Sequence, residues 1–175
     1  MHRPSNVDDP ETLTGLVRFL ADEVVPDLPL VWPVHPRTWN RLEALGLASV
    51  LAGTPGLVIL EPVGYLEMLR LNMGARVMFT GSGGLQEECC VLGTPCLTMR
   101  WNTERPVTLA EHGGASYLVG NDVGKIRRAY AEVRGRVPAP HQPPLWDGKT
   151  AVRIAETLSK WREGEVARKA CPEWR

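Results

Sequence analysis

Much of what marks a specialised surface is missing from this sequence. Basic and acidic side chains balance at 20 each, so the formal net charge is zero. A nucleic-acid reader carries a basic excess or patch, and none appears, so no nucleic-acid partner is expected. No apolar run approaches the roughly 18 residues needed to span a bilayer. No basic-then-apolar signal peptide opens the chain. A cytoplasmic setting without membrane contact is therefore expected. Cysteine is limited to Cys89, Cys90, Cys96 and Cys171. Cys89 and Cys90 are adjacent, which on a helix points them about 100° apart. There is no CxxC spacing, and the histidines are scattered. Structural zinc needs clustered ligands, so the cysteines read as core residues and no metal is expected. Without a secretion signal, disulfides are not expected either.

What is present is a core-forming chain of ordinary domain size, 175 residues with 43% hydrophobic. Helices and strands alternate along it. Asp9 is placed to cap a helix with Pro10 at its first position, where a missing N–H costs nothing. Leu13, Leu16, Val17, Leu20 and Val24 follow at helical spacing, up to the break at Pro26 to Pro29. Leu30 to Val34 reads as a strand, with Pro33 arguing for an edge or a strand end. A short helix is predicted over Thr38 to Leu45. A second strand follows at Leu57 to Leu60, then a helix from Tyr65 to Asn72. Further strands are predicted at Arg76 to Thr80, Pro95 to Met99 and Ser116 to Val119. Asn121 or Asp122 caps a helix reaching Arg134. A proline-rich crossing over 135–149 leads to a last amphipathic helix, Thr150 to Trp161, with Val152, Ala155 and Leu158 on one face.

Continuously apolar strands imply burial on both faces. With helices between them, the pattern is α/β: a single Rossmann-like domain over 1–162 with one mostly parallel sheet of five or six strands. A polar tail occupies 163–175.

The most informative stretch is Thr80 to Glu88, TGSGGLQEE. It joins a strand to a helix. Small residues let the backbone approach a ligand closely, and a helix N-terminus offers unpaired N–H groups and partial positive charge, which suits an anion. Carboxylates in the first turns of that helix can accept hydrogen bonds from a sugar diol. Together these suggest a phosphorylated, hydroxyl-bearing ligand such as a nucleotide-sugar. In open parallel sheets, ligands bind beyond the carboxyl ends of the strands. His35, Glu61 with Pro62, Gly81 to Gly84, Arg100 to Arg105, and Gly120 with Asn121 all follow strands and so converge on one rim.

Each of these residues also has a plainer use. His35 before Pro36 equally caps a strand end. Gly83 and Gly84 equally serve a tight turn. Glu87 and Glu88 can form a solvated helix face, the usual fate of paired carboxylates. Arg100, Glu104 and Arg105 equally form a surface ion-pair network. Tyr65 and Met68, one turn apart, are more often core than a base-stacking platform, and Trp101 is either a pocket wall or simply exposed. A Gly-rich turn alone has many false positives.

Ordered motifs sharpen the choice. Met1 to Pro10 resembles HRxENVDDP, and Pro33 to Thr38 resembles PVHPRT. Glu61 to Leu66 resembles EPLGYL, Ser82 to Glu88 resembles SGGIQEE, and Thr103 to Pro106 resembles TERP. Leu118 to Asp122 resembles LVGTD, and Asp147 to Lys149 resembles GDGKA. The chain thus resembles the C-terminal half of the non-hydrolysing UDP-N-acetylglucosamine 2-epimerases, over nearly all its length to about Trp161. The resemblance implies a Rossmann-like lobe similar to half of a two-domain GT-B glycosyltransferase.

By that resemblance Ser82, Gly83 and Gly84 hold the diphosphate, and Glu88 holds the ribose hydroxyls. The segment from Glu61 to Met68, with Tyr65 and Met68, lines the uracil. Arg3 joins the binding set, and His35 sits near the diphosphate to assist the leaving group. Family enzymes eliminate UDP to leave a 2-acetamidoglucal and add it back with C2 inverted, using neither metal nor nicotinamide. No cofactor is therefore implied. The family's principal catalytic carboxylates lie in an N-terminal domain that this sequence does not match. The implied function is the UDP-sugar-binding half of an epimerase that interconverts UDP-GlcNAc and UDP-ManNAc, inactive without a separate N-terminal domain. Self-association through the cleft wall is a further expectation. Four positions depart from the family pattern: Ser5 in place of the HRxEN acid, Gly81 before SGG, Val107 after TERP, and Met68 at the uracil wall. A non-catalytic UDP-sugar module and half of a related glycosyltransferase are the competing readings.

Overall fold

The computed structural model describes residues 1–162; the predicted tail over 163–175, with Cys171, lies outside the described residues. Two compact units divide the chain, one from Met1 to His141 and a second opening at Gln142.

The first unit opens with a short helix α1 (Pro4–Val7) and then α2 (Pro10–Phe19). The Asp9 side chain accepts the Thr12 amide at 2.8 Å and caps α2 as the sequence predicts. A π turn, Leu20–Val24, continues α2 to the proline break. β1 (Leu30–Pro33) then pairs in parallel with β2 (Leu57–Leu60), in the register Leu30 to Leu57. Helices α3 (Pro36–Ala44) and α4 (Leu47–Ala52) connect them. Helix α5 (Tyr65–Gly74) leads to β3 (Met78–Thr80), and α6 (Gly83–Leu92) to β4 (Cys96–Thr98). β5 (Ser116–Leu118) follows two 3₁₀ turns, and α7 (Val123–Val133) closes the unit. Its cap is Asp122, which accepts the Lys125 amide at 2.9 Å.

The α/β class and the parallel strands are as expected. A single continuous sheet is not. The strands form two sheets, β1–β2 and β3–β4–β5, every pairing parallel. β1 and β3 do not hydrogen-bond to each other; a cavity of about 510 Å³ bordered by both strands lies there instead. Two helices were not foreseen. α1 is too short to show a period. α4 follows Gly46, whose left-handed φ of +69° makes the anticipated turn but leads straight into another helix. α3 starts earlier than predicted because Pro36 takes its first position and His35 caps it.

The core gathers Leu13, Leu16, Leu42, Leu97, Met99 and Ile126, all fully buried. β4 is buried along its whole length, as a strand with helices on both faces must be. Cys89, Cys90 and Cys96 are buried free thiols packed as core residues. In the second unit, Asp147 accepts the Lys149 amide at 3.0 Å and pairs with Arg153 at 2.8 Å, which fixes the entry into α8 (Thr150–Arg162). The predicted apolar face of α8 is exposed at Val152 and Leu158. No described helix is long and apolar enough to cross a membrane.

Candidate functional site

The glycine-rich turn is tied down at every residue that has a side chain to use. Thr80 Oγ1 accepts the Ser82 amide at 3.1 Å, and Ser82 Oγ accepts the Leu85 amide at 3.5 Å as the cap of α6. The buried Gln86 donates from Nε2 to the Ser82 carbonyl at 3.2 Å. Thr103 in turn donates to Gln86 Oε1 at 2.7 Å and accepts the Arg105 amide at 3.0 Å. The fourth-strand loop therefore holds the third-strand turn in place. Gly83 and Gly84 are the first two residues of α6, where backbone amides have no acceptor inside the helix. The positive end of the helix dipole adds to them.

Basic side chains surround this point. Arg3 donates from Nε to the Gly81 carbonyl at 2.8 Å. Arg100 pairs through Nη2 with Glu104 Oε2 at 2.6 Å, while its Nη1 is buried without a hydrogen-bond partner among the described residues. Arg105 Nε approaches Glu87 Oε1 to 2.7 Å, an ion pair without hydrogen-bond alignment. The Glu104 carboxylate lies against the turn: a Cβ built on Gly83 would stand 3.2 Å from its Oε1. The Arg100 hydrogen bond, with smaller help from a backbone hydrogen bond and the Arg3 charge, pulls the Glu104 pKa down to about 2. The site thus already stabilises one anion of its own. Beside it, Gly120 takes φ +64° and leaves no room for a side chain, because a Cβ would meet the Trp101 ring at 2.7 Å. Trp101 is 59% exposed, with Lys125 Nζ 4.7 Å from its ring centroid.

About a turn and a half along α6, Glu88 is half-buried, and one of its carboxylate oxygens has no hydrogen-bond partner among the described residues. Burial raises its pKa; an Asn72 hydrogen bond opposes the rise and the Glu87 charge adds to it. Such a carboxylate is short of donors.

At the end of β1, His35 Nδ1 accepts the Arg37 amide at 3.2 Å. That contact assigns the acceptor role to Nδ1 and leaves Nε2 to carry the proton of the neutral ring. His2 stacks on His35, with ring centroids 5.1 Å apart. Burial, followed by the N-terminal charge, lowers the His2 pKa. Arg37 donates twice to Asp8, at 2.6 and 2.8 Å, which holds that carboxyl below its ordinary pKa. On α5, Tyr65 is exposed and makes no side-chain hydrogen bond among the described residues, and Met68 is half-buried in the lining of the cavity beside β1 and β3.

Comparison with known proteins supplies the frame. The family model of UDP-N-acetylglucosamine 2-epimerase matches residues 1–159. The chain belongs to the UDP-N-acetylglucosamine 2-epimerase family. It is similar to the UDP-N-acetylglucosamine 2-epimerase of Methanocaldococcus jannaschii, with 38% identity over 160 residues, 91% of this chain and 43% of that protein. It is also similar to the UDP-2,3-diacetamido-2,3-dideoxy-D-glucuronate 2-epimerase of Pseudomonas aeruginosa, with 36% identity over 162 residues and the same coverage, 91% and 43%. The crystal structure of the Methanocaldococcus jannaschii enzyme in complex with UDP-GlcNAc and UDP superposes with a TM-score of 0.78 at 39% identity, covering 90% of this chain and 43% of that one. The chain therefore spans less than half the length of the relatives it matches.

Within this epimerase-family lobe, Ser82, Gly83, Gly84 and Arg3 form one cluster with Arg100, Glu104 and Arg105. His35 is linked to that cluster through its stacking partner His2, next to Arg3. Glu88 turns toward α5, where Asn72 is its neighbour. Tyr65 and Met68 share α5 but make no hydrogen bond or ion pair to the cluster. The sequence motifs contain His2, Gln86 and Thr103, but sequence reasoning gave none of them a role. Thr103 and Gln86 are 17 residues apart, and no periodicity connects them; only the fold does.

Proposed function

We propose that this chain holds the nucleotide end of a UDP-N-acetylamino sugar, UDP-N-acetylglucosamine foremost, as the nucleotide-binding part of a 2-epimerase. The observation that carries the proposal is the pair of acceptor-free amides at Gly83 and Gly84, flanked by Arg3, Arg100 and Arg105. A diphosphate suits this arrangement: it takes the helix N-terminus with two oxygens and leaves others for guanidinium donors. The unpartnered Arg100 Nη1 is a donor ready for one of them. Glu88, rich in acceptors and short of donors, suits a ribose diol. The Glu61 to Met68 segment, with exposed Tyr65, supplies the base wall. His35 presents its Nε2 proton toward the leaving diphosphate.

The same proposal assigns the proton chemistry at C2 to groups outside this chain, so the chain alone binds UDP and does not epimerise the sugar. Calorimetric titration with UDP tests the first part. Saturable binding that Ser82→Ala weakens is expected; a folded sample that shows no saturable binding at millimolar UDP sinks it. Following C2 by NMR in UDP-N-acetylglucosamine tests the second, and turnover by the isolated chain overturns it.

A further inference from the structure

Asn72 stands near the end of α5, fully buried, and α5 packs against α6. A buried asparagine needs acceptors for its amide hydrogens and donors for its amide oxygen. Its backbone carbonyl is well used: it accepts from Thr94 Oγ1 at 3.2 Å and from the Ala75 amide at 3.1 Å. The side chain is only half used. Oδ1 accepts from the Cys89 thiol at 3.4 Å, while Nδ2 is buried with no hydrogen-bond partner among the described residues.

The acceptor that Nδ2 lacks stands next to the residue that Oδ1 already holds. Glu88 and Cys89 are consecutive on α6, about 100° apart around its axis. The oxygen and nitrogen of a carboxamide likewise point to different sides. One asparagine can therefore straddle both residues: with Oδ1 on Cys89, Nδ2 is turned toward Glu88. Glu88 in turn keeps a buried Oε2 without a donor. An orphaned donor and an orphaned acceptor sit on two helices packed together. Burial raises the Glu88 pKa, the Asn72 amide draws it back down, and the Glu87 charge adds to the rise. Glu87 is itself paired with Arg105 at 2.7 Å. Among the described residues no cation acts on Glu88, so the amide is the group that favours its carboxylate form.

Two features set this contact apart from ordinary core packing. Buried polar groups are normally paired within the chain, and here a bond within reach is left open while the site holds no ligand. The thiol also decides which way the amide faces. The contact of Cys89 with Cys96, and then burial, raise the Cys89 pKa, so this thiol keeps its proton and donates. A donor on that side takes the amide oxygen. The reverse orientation would set N–H against S–H and the amide oxygen against a carboxylate.

We propose that Asn72 is the positioning residue of Glu88: its Nδ2 closes on one carboxylate oxygen and aims the other at the ribose diol, with Cys89 fixing the amide. This rests on the assignment of Glu88 to the ribose. It adds that the carboxylate is directed from α5 rather than by α6 alone, and by a residue that itself touches no ligand.

The Glu88 carboxyl is followed by NMR across pH without nucleotide, and UDP affinity by calorimetry, both on the full chain. Asn72→Leu is expected to move the Glu88 titration to higher pH and to weaken UDP by about threefold to tenfold. In the Glu88→Gln background the same substitution should leave UDP affinity unchanged, which a general loosening of α5 would not do. Cys89→Ala leaves Asn72 in place and should move the titration in the same direction; Cys89→Ser, which keeps a donor at that point, should bring it back. A Glu88 titration unmoved by both Asn72→Leu and Cys89→Ala overturns the proposal. So does a loss of affinity on Asn72→Leu that persists in full beside Glu88→Gln. Failure of the ribose assignment looks different: parent and Glu88→Gln then bind UDP equally, while the nucleotide-free titration still moves with Asn72 and keeps it as the group that aims the carboxylate.

Discussion

Arg3 donates from Nε to the carbonyl of Gly81 at 2.8 Å, a contact between residues 78 positions apart. The bond fixes one edge of the guanidinium on the strand-to-helix turn and leaves the other edge near Glu104, at 4.0 Å. The amino-terminal segment and the glycine turn are thereby built as one unit. Arg3→Ala should cost about 1 kcal/mol of stability by denaturant titration, since a charged-donor bond of this kind is partly solvated here. It should also weaken UDP about tenfold or more. Arg3→Lys should recover part of the UDP affinity but little of the stability, because an ammonium cannot keep a fixed fork on two partners. Unchanged UDP affinity in both variants would remove Arg3 from the site.

Gly83 and Gly120 should respond in opposite ways to alanine. Gly83 lies in the first turn of α6 with ordinary helical backbone, and its new Cβ would face the end of a flexible Glu104 side chain at 3.2 Å. Helix propensity favours alanine, so stability should change by less than about 0.5 kcal/mol while UDP binding falls about tenfold from steric crowding at the amide. Gly120→Ala meets the Trp101 ring at 2.7 Å in a left-handed conformation, and should lose about 2 kcal/mol. Thermal melts and UDP titrations on the two variants separate ligand approach from backbone need.

Much of this was legible in the sequence because it is local. Asp9 before Pro10 announces a helix start through chemistry confined to four residues, and the glycine-rich turn marks the strand-to-helix passage before α6; His35 before Pro36, read as a strand end with its helix starting at Thr38, is itself the cap of α3. The α/β class followed from apolar strands alternating with amphipathic stretches. The division into two sheets was not legible, since pairing depends on which strand edges meet, and β1 and β3 carry the same apolar signal whether paired or not. The Thr103–Gln86 brace and the unpartnered Arg100 Nη1 were equally hidden. Both depend on where a loop crosses a helix, which no spacing encodes.

Glu104 should govern part of the acid response. Its folded pKa is lowered to about 2 from an ordinary 4.5, chiefly by the Arg100 hydrogen bond. The unfolded state therefore takes up the proton first as pH falls. The stabilisation is complete above about 4.5 and is lost progressively toward 2. Glu104→Gln should flatten that portion of the stability-versus-pH curve, measured by denaturant titration between pH 5 and 2.5. A variant curve parallel to the parent's would show that the Arg100–Glu104 pair contributes nothing in solution.

Glu88 should respond in the opposite direction. Burial raises its pKa above the ordinary 4.5, so above that pH the folded state holds a proton that the unfolded state releases, and stability declines as pH rises until the folded carboxyl ionises. Glu88→Gln should remove the decline. The same carboxylate couples to the nucleotide. A ribose diol donates best to the ionised form, so UDP binding should pull the Glu88 pKa back down and expel a proton. The ratio of parent to Glu88→Gln affinity cancels the titration of the phosphates themselves. That ratio should climb from near one at the acid end to about tenfold at neutral pH, in line with a hydrogen bond to a charged group. Calorimetry in two buffers of different ionisation enthalpy should detect the released proton. A ratio independent of pH, with no proton release, would mean that the ribose does not meet Glu88, and the diol would then have to be sought elsewhere on the rim.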